Sequence, residues 1–171
     1  GITGKWWAHQ HTGVVPDIMA FGKKMQVCGI AATGRIDEVE DNVFRKSGRI
    51  NSTWGGNLTD MARSTRYMEI IDEENLVLNA AERGKYLMNQ LGALQNEFSG
   101  KISNVRGKGL FCAFDLPDAG IRNKFKNECF NEGLMILPCG EKSIRFRPPL
   151  NITDEQIDEG FDIIRKALKR P

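Results

Sequence analysis

At 171 residues, with 40% apolar and 27% charged side chains, the chain can form one compact domain or parts of two and has the balance of a soluble globular protein. A formal net charge of +2 is too small to argue for nucleic acid or an anionic membrane surface as partner, and no apolar run approaches the roughly 20 residues that span a bilayer. The four cysteines, Cys28, Cys112, Cys129 and Cys139, include no C-x-x-C pair, so neither zinc nor a dense disulfide framework is implied and reduced thiols in a cytoplasmic protein are expected.

The chain opens on GITGKWW without an initiator methionine, and two tryptophans so early predict packing against something. The opening therefore reads as a join within a longer chain. His9 and His11 form a His-x-His pair, but no third ligand lies nearby and no metal site is expected. The stretch PDIMAFGKK at 16–24 is a short apolar run delivered by a proline turn, ended by glycine and followed by lysine. Such a run predicts a buried strand. An amine held partly desolvated beyond it loses some preference for the charged state and becomes a usable nucleophile toward carbonyls. From the local pattern alone a solvated surface charge is the commoner explanation, because the chain carries 24 lysines and arginines. A second buried strand is expected over 27–32, and 35–50 reads as an exposed connection.

The stretch RINSTWGGN at 49–57 collects hydroxyls and accessible backbone N–H groups before a helix, an entrance that suits a phosphate. A plain cap with a glycine turn explains it as readily. Met61, Thr65, Met68 and Ile71 then recur at helical spacing, a break follows near 72–74, and a long helix carries Leu76, Ala80, Gly84, Leu87, Leu91, Leu94 and Phe98 on one face. The acidic cluster at 72–74 suits the start of that second helix.

After residue 100 the period changes. Residues 102–106 read as a strand, 107–109 as a turn or bulge, and 110–116 alternate as a second strand. A helix opens at Pro117-Asp118, buries Ile121, Phe125 and Cys129 and stops at Gly133. A hairpin of 134–137 and 143–146 is expected around Pro138-Cys139-Gly140, and Thr153-x-x-Gln156 is a capping box for a helix buried through Ile157, Phe161, Ile164 and Leu168. This tail is βαββα-like, a small sheet with helices on one face. In IRFRPPL at 144–150, Arg145 and Arg147 stand two apart on one face, suited to bidentate carboxylate recognition or to a salt bridge between layers.

These motifs, in this chain order, resemble those of the class-III (ω-) aminotransferases, pyridoxal-phosphate enzymes of fold type I. The likeness is carried by AFGKKMQVCGI, RINSTWGGNL, SNVRGKGLFCAFDLP and CGEKSIRFRPPL, and it covers essentially all 171 residues while matching only the C-terminal part of the family. Within the family these strings are nearest to members that take the ε-amine of L-lysine. Members acting on 4-aminobutyrate share the lysine segment and SIRFRP but differ around Thr53.

The resemblance implies an α/β fold with the end of a cofactor-binding large domain over 1–71, a linking helix over 72–100 and an α+β small domain over 101–171. It implies that Lys23, directly after glycine, holds pyridoxal 5'-phosphate as an imine and acts as catalytic base and acid. Thr53 would donate to the cofactor phosphate of the neighbouring subunit, which implies a homodimer, with Ser52 beside it and Asn51 facing substrate. Arg145 would be the carboxylate-side arginine, binding the dicarboxylate co-substrate or pairing with a gating glutamate. The implied activity is transfer of the ε-amino group of L-lysine to 2-oxoglutarate, with another ω-amino acid donor or a non-catalytic dimerisation module as alternatives. The family's aspartate for the pyridine nitrogen, its glycine/serine phosphate loop and its stacking aromatic fall outside these residues, so these residues alone are expected to catalyse poorly.

Overall fold

A computed structural model describes residues 1–51, 53 and 55–170. The chain divides into two compact units, one made of Gly1–Ala8 with Asn75–Pro171 and the other of His9–Glu74.

The His9–Glu74 unit opens with an antiparallel hairpin of β1 (Ile18–Phe21) and β2 (Gly29–Ala32), paired from Ile18 with Ala32 to Phe21 with Gly29. The base of the hairpin is tied at Asp17. Its carbonyl accepts from the Thr33 N–H at 2.9 Å, and its carboxylate accepts from the Thr33 hydroxyl at 3.2 Å and the Arg35 guanidinium at 2.8 Å. The expected burial of these strands is not found: Ile18 is 56% exposed, and β2 begins only at Gly29. A two-stranded ribbon leaves both faces open unless another layer covers them. Beyond the hairpin, the buried Asn42 side chain donates to the carbonyls of Ile36 and Val39 and accepts from the Phe44 N–H, all at 3.0 Å, which pins the 36–44 loop.

Helix α1 (Leu58–Glu73) starts at Asn57, whose side-chain oxygen accepts from the N–H groups of Thr59 and Asp60. Its fully buried residue is Ser64, while Leu58, Met61, Tyr67 and Met68 remain exposed. The acids at 72–73 lie in its last turn and not at the start of the next helix. Near the negative end of the dipole they are unfavourable, which the Arg66 pairs with Glu69 and Glu73 offset. Asn75, in the left-handed region at φ 53°, breaks the chain there.

In the other unit, α2 (Leu76–Glu97) buries Ala80, Gly84, Leu87, Leu91 and Leu94, the face anticipated from their spacing. Four antiparallel strands follow: β3 (Ser103–Lys108), β4 (Phe111–Asp115), β5 (Leu137–Cys139) and β6 (Ser143–Phe146), in the order β3-β4-β6-β5. Helix α3 (Ala119–Asn131) is capped by the Asp118 side chain, and α4 (Asp154–Lys169) by the complete Thr153/Gln156 box. Cys112 pairs with Phe146 and Phe114 with Ile144 on one sheet face, where they join Phe125, Phe161 and the α2 leucines in a single apolar core. Phe114 meets Phe125 edge-on at 5.9 Å between ring centroids and Phe146 at 5.8 Å. By alternation Ala113, Asp115, Ser143 and Arg145 belong to the opposite face.

The strand expected over 134–137 instead begins at Leu137 and includes Pro138. Proline is tolerated there because β5 is the sheet's edge strand. The opening residues are tied to this unit: Leu110 N–H donates to the Ile2 carbonyl at 2.9 Å. A Cβ at Gly84 would sit 2.3 Å from the Gly109 carbonyl carbon, and one at Gly109 only 2.4 Å from that of Thr3. Three backbone segments thus stack at a distance that only glycine allows.

Candidate functional site

The lysine chosen from sequence follows β1 directly. Gly22 is extended (φ 172°), and a Cβ on it would meet Cys28 Sγ at 2.9 Å, so the chain passes close against the far side of the hairpin loop. Lys23 itself has φ 53°, a left-handed conformation that costs a non-glycine residue of order 1–2 kcal/mol. The turn is held by Met25 N–H to the Gly22 carbonyl at 3.1 Å and Gln26 N–H to the Lys23 carbonyl at 3.0 Å, with Gln26 also left-handed at φ 64°. A strained backbone at a candidate nucleophile is a feature of functional sites, where surrounding structure holds what local preference would not. Lys23 is exposed and, among the described residues, forms no ion pair. Its desolvation, expected from sequence, is not found, because the two-stranded ribbon provides no wall around it.

Asn51 and Thr53 are exposed and precede the helix start at Asn57. Ser52, a candidate from sequence, and the neighbouring Trp54 lie outside the described residues. Lys23, Asn51 and Thr53 all belong to the His9–Glu74 unit. The helix entrance is capped by Asn57, so capping does not fall to Thr53.

Arg145 belongs to the other unit, on β6 between Ala113 of β4 and Leu137 of β5. It is half-buried, and its Nε is fully shielded without a hydrogen-bond partner. An orphaned guanidinium nitrogen is costly, and a bound anion would satisfy it. Arg147, on the same side, lies over the Phe111 ring with its guanidinium carbon 5.7 Å from the centroid. The salt bridge between layers that sequence left open for these arginines is not formed among the described residues.

One polar cluster escaped the sequence reading. The Asp115 carboxylate accepts from Ser143 Oγ at 2.5 Å, from Asn104 Nδ2 at 2.9 Å and from the Arg106 guanidinium at 2.9 Å. Burial alone would push its pKa up, but these three hydrogen bonds and the Arg106 charge overcome that and hold it at about 2. A bulge between Ser103 and Arg106, with Asn104 at φ 54°, brings the two donors to one carboxylate. The only sequence signal was the glycine-flanked irregularity at 107–109, which does not say which side chains a bulge will gather. Of the cysteines, Cys112 and Cys129 are buried, and burial pushes both thiols up to about 12, with Glu128 adding to the effect at Cys129, so neither is a nucleophile at neutral pH. His9 Nδ1 lies 3.0 Å from the Val14 carbonyl, a loop hydrogen bond.

The pattern of the family described as Aminotransferase class-III matches residues 1–168. An L-lysine-epsilon aminotransferase from Amycolatopsis lactamdurans is 48% identical over 169 residues, covering 98% of this chain and 38% of that protein. A mitochondrial 4-aminobutyrate aminotransferase from Sus scrofa is 43% identical over 172 residues, which is 33% of its length. Among solved structures, a lysine aminotransferase from M. tuberculosis in its internal aldimine form superposes with a TM-score of 0.94 at 46% identity, covering 98% of this chain and 39% of that one. The chain therefore spans well under half the length of the relatives it matches.

Proposed function

Because the chain belongs to the class-III aminotransferases, we propose that it supplies the lysine-bearing and carboxylate-binding parts of a pyridoxal-phosphate enzyme that moves the ε-amino group of L-lysine to 2-oxoglutarate. The observation that carries the reading is Lys23: an amine free of ion pairs among the described residues, on a strained left-handed backbone at the end of a strand. Likeness at 46–48% identity to lysine ε-aminotransferases over 98% of the chain supports the choice of donor.

The residues present fit the cofactor. Lys23 is an exposed residue with a primary amine for its aldehyde, and Thr53 is an exposed residue with a hydroxyl for its phosphate. When bound, pyridoxal phosphate withdraws electrons from the amine-bearing carbon of the substrate and so acidifies its C–H bond. Lys23 Nζ would hold the cofactor through its aldehyde. As a free amine, Lys23 Nζ would remove a proton from the substrate carbon and return one in the second half-reaction, acting as base and then acid. Thr53, with Ser52 beside it, orients the phosphate, in the site of a neighbouring subunit of a homodimer. The exposed apolar residues of the His9–Glu74 unit, Leu58 and Val15 among them, supply surface for such an assembly. Asn51 contacts substrate. Arg145 pairs through its guanidinium with a carboxylate of 2-oxoglutarate, which satisfies the orphaned Nε. The division into the end of a large domain (1–71), a linking helix (72–100) and a small domain (101–171) is part of the same proposal.

The test is to incubate the chain with pyridoxal phosphate, reduce with borohydride and map the labelled peptide. A single adduct at Lys23 is expected; labelling scattered over surface lysines would overturn the assignment. In a chimera joining this chain to the rest of the Amycolatopsis lactamdurans relative, Lys23→Ala should lower lysine-dependent glutamate formation by roughly 10²–10⁴-fold or more. Near-normal turnover would sink the catalytic role, and a preference for 4-aminobutyrate over lysine would sink the donor.

A further inference from the structure

The turn that carries Lys23 is gripped at its base by two side chains, each lodged where a glycine lacks a Cβ. At the last pair of the hairpin, Phe21 opposite Gly29, a Cβ built on Gly29 would lie 2.7 Å from Phe21 Cζ and 3.0 Å from its Cε2. One step further the same register sets Gly22 opposite Cys28, where a Cβ on Gly22 would lie 2.9 Å from Cys28 Sγ. Any side chain larger than glycine's would have to push the facing group aside at either position. Neither glycine has the left-handed backbone that would call for it on conformational grounds, and Gly22 is extended at φ 172°. Close approach is the reason for both. Because successive residues of a strand face opposite ways, the Phe21 ring and the Cys28 thiol grip the ribbon from its two faces.

Between Gly22 and Cys28 the chain reverses with two non-glycine residues, Lys23 and Gln26, in the left-handed region at φ 53° and 64°. Local preference runs against both conformations, so the surroundings must impose them. Lys23 and Lys24 are exposed, and the hold therefore comes from the base of the turn, where the two glycine contacts stand.

We propose that Phe21 and Cys28, seated against Gly29 and Gly22, are positioning residues for Lys23. They hold its backbone left-handed and so fix the direction from which its amine meets the aldehyde of pyridoxal phosphate. The inference rests on the reading of Lys23 as the cofactor lysine and adds what places it. Lys24, exposed on the same turn but not left-handed, has the same amine without that placement and serves as the internal reference.

The 171-residue chain is incubated with pyridoxal phosphate and reduced with borohydride, and adducts at Lys23 and Lys24 are quantified by peptide mapping. The ¹³C chemical shifts of Lys23 Cα and Cβ report its backbone without any cofactor. Wild type is expected to label Lys23 over Lys24 and to show the shifts of a left-handed residue. Gly22→Ala, whose methyl displaces the Cys28 thiol, should lower the Lys23-to-Lys24 ratio by roughly tenfold and move the Lys23 shifts out of the left-handed range, with circular dichroism unchanged. Adding Cys28→Ala should bring both readouts back to within about twofold of wild type. Without the sulfur, the new methyl meets only the Cα and Cβ of residue 28, at an ordinary 3.6 Å. Gly29→Ala displaces the Phe21 ring on the other face and keeps the test decisive should Gly22→Ala not fold: it should lower the ratio by a similar factor. An undiminished ratio in either folded glycine variant, or a double variant as impaired as Gly22→Ala, would overturn the inference. So would loss of the adduct while the Lys23 shifts stay left-handed. A wild type that labels Lys23 no more than Lys24 would overturn the reading of Lys23 and this inference with it, a failure visible before any variant is made.

Discussion

Replacing Asp115 by asparagine tests whether charge, and not shape, holds the bulged edge of the four-stranded sheet. The side chain of Asp115 is 12% exposed and accepts three hydrogen bonds, from Ser143, Asn104 and Arg106. An amide keeps the volume but presents an NH₂ to a ring of donors and leaves the Arg106 guanidinium without its anion. Truncating one partner of a buried ion pair costs about 3–5 kcal/mol, and because Arg106 is itself 44% exposed, solvent screening brings the expected cost below that range, to about 2–3 kcal/mol. The pH dependence makes the argument specific. The native pKa, about 2, lies below the ordinary 3.8, so the ionised carboxylate stabilises the fold fully above pH 4. That contribution, of order 2 kcal/mol, fades as the pH falls from about 4 toward 2. Urea unfolding of wild type and Asp115→Asn at pH 7, 5, 4 and 3 measures it, read as a shift in midpoint at constant slope. The gap between the two proteins should be constant from pH 7 to 5 and narrow below pH 4. A gap of the same size at pH 7 and pH 3 would refute the electrostatic account and assign the cost to packing.

Glycine substitutions in α2 should take opposite signs. Gly84→Ala drives a Cβ to 2.3 Å from the Gly109 carbonyl carbon and should destabilise by about 1–3 kcal/mol, whereas Gly92→Ala, with nothing within 4 Å, should stabilise by about 0.5–1 kcal/mol. Urea midpoints shifting in the same direction would contradict the packing described. At the candidate nucleophile, Lys23→Gly should relieve the left-handed backbone and stabilise the hairpin by about 1 kcal/mol while removing the reduced cofactor adduct. A lowered melting temperature would count against the strain. Among the four thiols, Cys28 and Cys139 should react with a disulfide reagent at pH 8 within minutes and Cys112 and Cys129 only on unfolding, because burial raises both buried thiols to about 12. Four equally fast thiols would contradict the core.

Local and periodic features were legible in the residues. The step of three and four along Ala80, Gly84, Leu87, Leu91 and Leu94 announces the buried face of α2, since one stripe of a helix meets one layer. Thr153 and Gln156 announce the start of α4 because a capping box is closed within four residues. The family motifs pointed to Lys23, Thr53 and Arg145 in the same way, as residue types at fixed spacing. None of this requires knowledge of what lies across the chain.

What the sequence left open depends on partners distant along it. PDIMAF and the run at 27–32 looked like buried strands, yet their hairpin is half-exposed, because burial is decided by whether another layer arrives. Pro138 sits in a strand because β5 is an edge, a fact of strand order and not of local preference. The Asp115 cluster joins four residues from three strands through one bulge, and the Gly84–Gly109 contact joins a helix to a turn 25 residues on. Propensity and periodicity, which act over a few residues, determined the elements, and the residue motifs carried the family likeness. Burial, register and the orphaned guanidinium of Arg145 were decided only by the tertiary structure, because each is a property of what the fold places, or fails to place, against a side chain.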